Sequence, residues 1–229
     1  MRRLLLCISL VVCFSCLYAQ KAPDTELWTG GIFKLRINKA FRAELREQIR
    51  FNDNVSSFKS TFTQLGLRYR LNKSFAFKVN FRYIIRPKRD RLRFSADAYY
   101  NWSKKKFPLS AQYRLRFQNT LRPQSGNSTT YLRNKVSVDY NLSKLIDPFL
   151  SYELYFRFNG KNEFRVYRLT LGGKWRLNKR IDVSSFYRFQ SDIFVKKPDR
   201  EHIFGLIFSY RTSVKRLKKK IKEKTSGGD

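Results

Sequence analysis

Alternation of apolar and polar residues at period two recurs from residue 41 to residue 210, and it constrains the fold more than any other feature of the chain. Successive side chains of a strand point to opposite faces, so each such segment carries one apolar and one polar face. Residues 41–51 put Phe41, Ala43, Leu45, Ile49 and Phe51 on one face, broken only by Glu47, and Arg42, Glu44, Arg46, Gln48 and Arg50 on the other. Residues 75–85 set Phe75, Phe77, Val79, Phe81, Tyr83 and Ile85 against Lys78, Asn80 and Arg82. Residues 92–102 set Leu92, Phe94, Ala96, Ala98, Tyr100 and Trp102 against Arg93, Ser95, Asp97, Tyr99 and Asn101. The same rule covers segments near 109–118, 130–142, 150–158, 165–177, 181–190 and 202–210. A weaker case spans 58–71, and an N-terminal one carries Phe33, Leu35 and Ile37. No segment of comparable length has helical spacing, so the chain reads as all-β.

Segment length then selects the architecture. Runs of about 10 to 14 residues are long for sandwich strands and suit tilted strands crossing a bilayer. Tight polar turns at Asn38-Lys39, Asn72 to Ser74, Ser103 to Lys106, Ser143-Lys144 and Asn178 to Arg180 alternate with longer loops, of which 119–129 and 191–201 are the longest. Three turns share wording: Arg36-Ile-Asn-Lys39, Arg70-Leu-Asn-Lys73 and Arg176-Leu-Asn-Lys179. Short turns on one rim and longer loops on the other predict an antiparallel, transmembrane, up-and-down β-barrel, with the short turns in the periplasm. Tyr69, Trp102, Tyr140 and Trp175 lie near the short turns on the apolar face, as one interfacial belt. Phe51, Tyr83, Phe117, Phe158 and Phe189 would form the other. A soluble barrel is the competing reading, but it would turn most arginines to an outer surface built from unusually long strands.

The barrel is expected to have 10–12 strands. Eleven segments are visible, whereas closed bacterial barrels normally have an even number so that the first and last strands pair antiparallel. Ten strands result if 41–210 closes by itself and 24–38 is an extra edge, plug or partial strand bent at Gly30-Gly31; twelve need a further strand.

The ends carry different information. Arg2 and Arg3 precede an apolar run, Leu4 to Tyr18, that ends at Ala19, so residues 1–19 are expected to be a cleaved secretory signal peptide. Cys16 as a lipidation site is the competing reading, and the residues before it fit poorly. All three cysteines fall inside this segment, which excludes disulfides and thiolate metal sites from the mature chain. The expected organisation is a barrel over 20–211 and a basic, disordered tail over 212–229, where Lys215 to Lys224 gathers lysines around a single Glu223. The outer membrane is the expected location. The expected partners are its lipids, small anions, and, through the tail, anionic lipid or peptidoglycan. The chain has 49 Lys+Arg against 17 Asp+Glu. That excess would otherwise suggest nucleic acid, but the secretory signal argues against it.

If the apolar face meets lipid, the polar face lines a lumen. Its basic members are Arg46, Arg50, Arg82, Arg93, Arg114, Arg116, Arg133, Lys135, Arg157, Arg168 and Arg188, with Arg68 and Lys174 beside them. The acids available to neutralise them are Glu44, Asp97, Asp139 and Glu153, with Asp182. Arg/Lys lining favours anions in a pore, so the leading functional expectation is a conduit or binding site for small anionic solutes. The alternative is a closed structural or envelope-interaction barrel in which the same groups interlock. No catalytic constellation, metal cluster or cofactor motif appears. His202 stands on an apolar face with no serine at the same-face position, and Glu47 implies either a bulge that turns it inward or a partner at a seam.

Five blocks carry a family resemblance: Glu26-Leu-Trp-Thr29, Glu47-Gln-Ile-Arg-Phe51, Gly66-Leu-Arg-Tyr69, Tyr131-Leu-Arg-Asn-Lys135 and Tyr167-Arg-Leu-Thr-Leu-Gly-Gly173. In order and spacing the chain resembles, from about Glu26 to Tyr210, an uncharacterised family of Gram-negative outer-membrane β-barrels classed as a domain of unknown function. The resemblance implies a barrel fold and an outer-membrane location, and brings no functional residues with it.

Overall fold

The computed structural model describes residues 23–103, 107–158, 160 and 162–218. The signal peptide expected over 1–19, and residues 219–229 of the basic tail, lie outside the described residues. Eleven strands follow one another: β1 (Asp24–Arg36), β2 (Phe41–Asn52), β3 (Ser57–Arg70), β4 (Phe75–Ile85), β5 (Arg91–Ser103), β6 (Leu109–Leu121), β7 (Ser128–Tyr140), β8 (Ile146–Arg157), β9 (Glu163–Arg176), β10 (Ile181–Asp192) and β11 (Arg200–Ser213). Each pairs with its neighbour in sequence, and β1 pairs with β11, so the sheet closes and no edge is left unpaired.

Closure corrects the expectation of an even strand number. Every hairpin reverses the chain direction, so in an eleven-stranded meander the first and last strands run the same way and must pair parallel. The β1–β11 ladder is parallel over its whole length, from Asp24 opposite Glu201 to Arg36 opposite Ser213. The segment 24–38 is therefore a full barrel strand rather than a plug, and its pairing with β2 continues through Gly30 and Gly31 without a break. A Cβ on Gly30 would lie 2.2 Å from the Glu47 carbonyl oxygen, so a larger residue there would force the backbone of β2 to shift.

The repeated turn wording has a local cause. In the β1–β2 turn the Asn38 Oδ1 accepts hydrogen bonds from the backbone N–H of Ala40 and Phe41, both 2.8 Å. Asn72 does the same for Ser74 and Phe75, and Asn178 for Arg180 and Ile181. Asn serves because its short amide mimics a backbone carbonyl and closes the turn. On the opposite rim the connections include the segments 122–127 and 193–199, the longest between described strands.

Alternation sorts the side chains inside out. Among the described residues the buried hydrophobic ones are eight, Trp28, Phe62, Ile84, Ile203 and Ile207 included, whereas exposed large hydrophobics are several times as many and cover the outer face of every strand. Val79, Phe81, Phe94, Val136, Leu169 and Leu171 are examples. Glu47 also faces outward: the register of β2 against β3 shifts at Arg50/Phe51, not at Glu47, and Thr63 Oγ1 donates to its carboxylate at 2.9 Å. It lies opposite Gly31, on the strand that forms the seam with β11. The last strand runs to Ser213 and residues 214–218 form a helical turn, so regular structure extends into the segment assigned to a disordered tail from 212.

Candidate functional site

Interior positions converge on a cavity of about 520 Å³ in the half of the barrel nearer the longer loops. Eleven arginines and two lysines line it against a single carboxylate, Glu153. They include Arg46, Arg50, Arg82, Arg93, Arg114, Arg116, Arg133, Lys135, Arg168 and Arg188, brought together from β2, β4, β5, β6, β7, β9 and β10. Arg157 is not among them. It stands at the end of β8, where it donates to Glu163 at 2.8 Å, because β9 begins beside it.

The acids expected to neutralise this lumen reach only four of its thirteen cations, through Glu153, Asp97 and Glu44, and the others pair outside the chamber. Glu153 accepts from Arg133 at 2.9 Å and from Arg114. Asp97 takes a two-pronged bond from Arg116, whose Nη2 lies 2.8 Å from Oδ2. Glu44 pairs with Lys78 and Asp139 with Lys174, both toward the short-turn end. Asp147 with Arg176 and Asp182 with Arg211 extend the same layer of ion pairs. Along β2 the inward residues run Arg42, Glu44, Arg46, so the acid-bearing layer lies directly on the turn side of the chamber. Of the other basic residues of the polar face, Arg68 stacks on Tyr99 at 4.4 Å.

What holds the remaining cations in place is aromatic and amide. Three guanidinium groups surround the Trp28 ring, those of Arg50, Arg188 and Arg168 at 4.0, 5.0 and 5.9 Å from its centroid. Phe62 receives Arg82 at 3.8 Å and Arg50 at 4.8 Å, and Tyr155 receives Arg133 at 4.1 Å and Arg168 at 4.7 Å. Gln64 Oε1 accepts from Arg82 Nε at 2.8 Å, and Thr120 and Thr170 accept from Arg93 and Arg188 at 3.0 and 2.9 Å. A ring face attracts a cation without cancelling its charge, and a neutral amide does no more. Buried donors are left over as well. Arg46 Nε, Arg50 Nε, Arg114 Nε and Gln48 Nε2 have no hydrogen-bond partner, and the Gln48 side chain is almost wholly enclosed. Unpaired buried donors cost about 1–3 kcal/mol each, which an acceptor-bearing ligand would recover.

Tyr99 and Tyr155 fall on the polar face by alternation and have polar hydroxyls, whereas Phe62 and Phe186 are not expected there from their chemistry. Phe62 sits between Ser60 and Gln64, and Phe186 between Ser184 and Arg188, each an aromatic residue on an otherwise polar face. That misplacement is the signal that could have found them. Phe186 has its place because β11 offers Gly205 beside it, where an added Cβ would lie 2.1 Å from the ring. The inward row Ile203, Gly205 and Ile207 gives β11 two apolar faces and the lumen an apolar wall at the seam. Arg91 and Arg122 also line the chamber. His202 faces outward, its Nδ1 2.6 Å from the Tyr187 hydroxyl.

The model of the family described as "Protein of unknown function (DUF2490)" matches residues 25–200, and the chain belongs to that family. The five sequence blocks from Glu26 to Gly173 lie inside the match. No curated protein matches the chain. Among solved structures it is similar to a "Bacterial polysaccharide outer membrane secretin", at 12% identity and a TM-score of 0.49, covering 74% of this chain and 63% of that one. It is also similar to an "Anion-selective porin from Comamonas acidovorans", at 12% identity and a TM-score of 0.39, covering 75% of this chain and 53% of that one. The chain thus spans less than two thirds of each of these two proteins.

Proposed function

We propose that this DUF2490 chain is an outer-membrane β-barrel whose interior binds and conducts small anions. The membrane reading rests on the inverted surface: a soluble monomer does not expose a continuous belt of Phe, Leu, Val and Tyr around every strand, whereas a lipid-facing barrel requires one. Its lipids are then its first partners, and the closed ladder satisfies the backbone groups that hydrocarbon cannot.

One observation carries the anion reading, namely the chamber lined by thirteen cationic side chains, of which Lys78, Arg114, Arg116 and Arg133 share the carboxylates of Glu44, Asp97 and Glu153 while Arg50, Arg82, Arg93, Arg168 and Arg188 are held by rings, amides and hydroxyls. Such a lining stabilises a desolvated anion and repels cations. In planar bilayers under a KCl gradient, the reversal potential should show chloride preference, and Arg50→Gln with Arg188→Gln should reduce it. Preference for potassium in the unaltered protein would overturn the reading.

The layer of ion pairs on the turn side favours a second reading, in which the chamber is a blind pocket that binds anions without passing them. Absent conductance together with anion binding in detergent solution would select it.

A further inference from the structure

A second cavity, of about 290 Å³, opens at the short-turn end of the barrel. We infer that this mouth is a separate binding site for a phosphate-bearing ligand, distinct from the central chamber. Four of its cations come from barrel strands: Lys34 and Arg36 from β1, Arg42 from β2, and Arg211 from β11. Lys179 and Arg180 reach it from the β9–β10 turn, and Arg216 from the helical turn that follows β11. The hydroxyl-bearing Thr212 and Ser213 complete it, and no carboxylate lines it.

The arrangement is costly unless an anion is present. Arg36 lies directly opposite Arg42 across the β1–β2 ladder, and Lys34 directly opposite Arg211 across the seam. Like charges in directly paired positions repel. One acid compensates a single cation of the site, Asp182 at 2.6 Å from Arg211, and Glu44 is paired with Lys78 outside it, which leaves the other six cations without an ion pair among the described residues. Among the described residues, Lys34 has only Ser209 Oγ, at 3.5 Å. A single monovalent anion would leave most of this charge uncompensated, whereas a phosphate ester or oligophosphate brings several charges and pairs of acceptor oxygens that the planar forks of the five arginines can grip. The ligand chemistry is common to a soluble phosphate compound and to a phospholipid headgroup entering from the adjacent interface.

The full chain in neutral detergent should be titrated calorimetrically with sodium tripolyphosphate at low and high salt. We expect binding that weakens with salt, and that falls at least about tenfold when Arg36→Gln, Arg42→Gln and Arg180→Gln are combined. Arg50→Gln with Arg188→Gln should leave this binding in place, which separates the mouth from the central chamber. A circular-dichroism melt and the gel shift between unheated and boiled samples establish that each variant is folded. Nanodiscs of phosphatidylglycerol, set against phosphatidylcholine, identify the source: competition with tripolyphosphate assigns the headgroup, and undiminished binding assigns a soluble phosphate. The inference is overturned if the folded triple variant binds tripolyphosphate as the unaltered chain does, or if the unaltered chain binds none. Neither result touches the chloride preference expected of the central chamber, which has its own readout.

Discussion

Trp28 and Arg50 occupy directly paired positions on β1 and β2, with the Arg50 guanidinium carbon 4.0 Å from the centroid of the indole ring. The contact restrains a buried cation without neutralising it, and Arg188 and Arg168 use the same ring. Trp28 is itself fixed, since its Nε1 donates to the buried Glu26 at 2.7 Å.

Replacing the ring tests this scaffold. Trp28→Leu should lower barrel stability by about 1–3 kcal/mol, because cation–π contacts in desolvated surroundings are worth up to about 2 kcal/mol and a buried hydrogen bond is lost as well. Trp28→Phe keeps a ring face and should recover part of the loss. Urea unfolding in liposomes measures both, and equal midpoints for Leu and Phe would show that the arginines do not depend on the ring.

The seam gives a second test. Lys59 bridges Glu26 of β1 and Glu201 of β11, the latter at 3.0 Å, and Gln190 of β10 donates to Glu201 at 2.7 Å. Lys59→Met leaves two carboxylates facing each other across the parallel pair and should cost about 3–5 kcal/mol, the usual penalty for removing one partner of a buried ion pair. Adding Glu26→Gln and Glu201→Gln should restore much of it. The temperature at which the unheated gel mobility is lost reports the change, and a harmless Lys59→Met would mean that the ladder alone holds the seam.

Adjacent glycines should behave differently. A Cβ on Gly30 meets the Glu47 carbonyl oxygen at 2.2 Å, whereas one on Gly31 meets nothing within 4 Å. Gly30→Ala should therefore destabilise by about 1–3 kcal/mol, as overpacking does, and Gly31→Ala should be nearly neutral. The pair can be compared by refolding yield and melting midpoint; equal sensitivity would contradict the inward and outward assignments of β1.

Two neighbouring strands probe the two faces of the wall. Val136→Arg, on the outer face, should cost about 2–4 kcal/mol in a bilayer and little in detergent if the belt meets lipid. Glu153→Gln, on the inner face, looks mild from sequence, but it strips the carboxylate shared by Arg114 and Arg133 and should be at least as damaging in either medium. Unfolding midpoints in liposomes and in detergent separate the two mechanisms.

Much of the fold is a local property and was legible for that reason. Alternation at period two assigns Phe94 outward and Arg93 inward without reference to any other strand. The Asn38, Asn72 and Asn178 turns read from their own side chains, since an Asx turn closes within three residues. The family blocks sit within strands for the same reason.

Pairing across strands is another matter, because it depends on stagger around the barrel. Nothing local to Asp97 says that Arg116 will take it, or that Arg157 will turn to Glu163 and leave the chamber. The even strand number was an inference from other barrels. Only closure decided that β1 is a full strand and that its partner β11 runs parallel to it.

The sequence by itself determined an all-β chain with an apolar outside, an arginine-rich inside and its turns. Tertiary structure decided which of those arginines are paired with a carboxylate. Register gathered Glu44, Asp139, Asp147 and Asp182 into a layer near the short turns, while Trp28, Phe62 and Tyr155 were brought from three separate strands to hold chamber cations such as Arg50, Arg82 and Arg168. Facing is set residue by residue, whereas neutralisation is set by which residues the closed sheet makes neighbours.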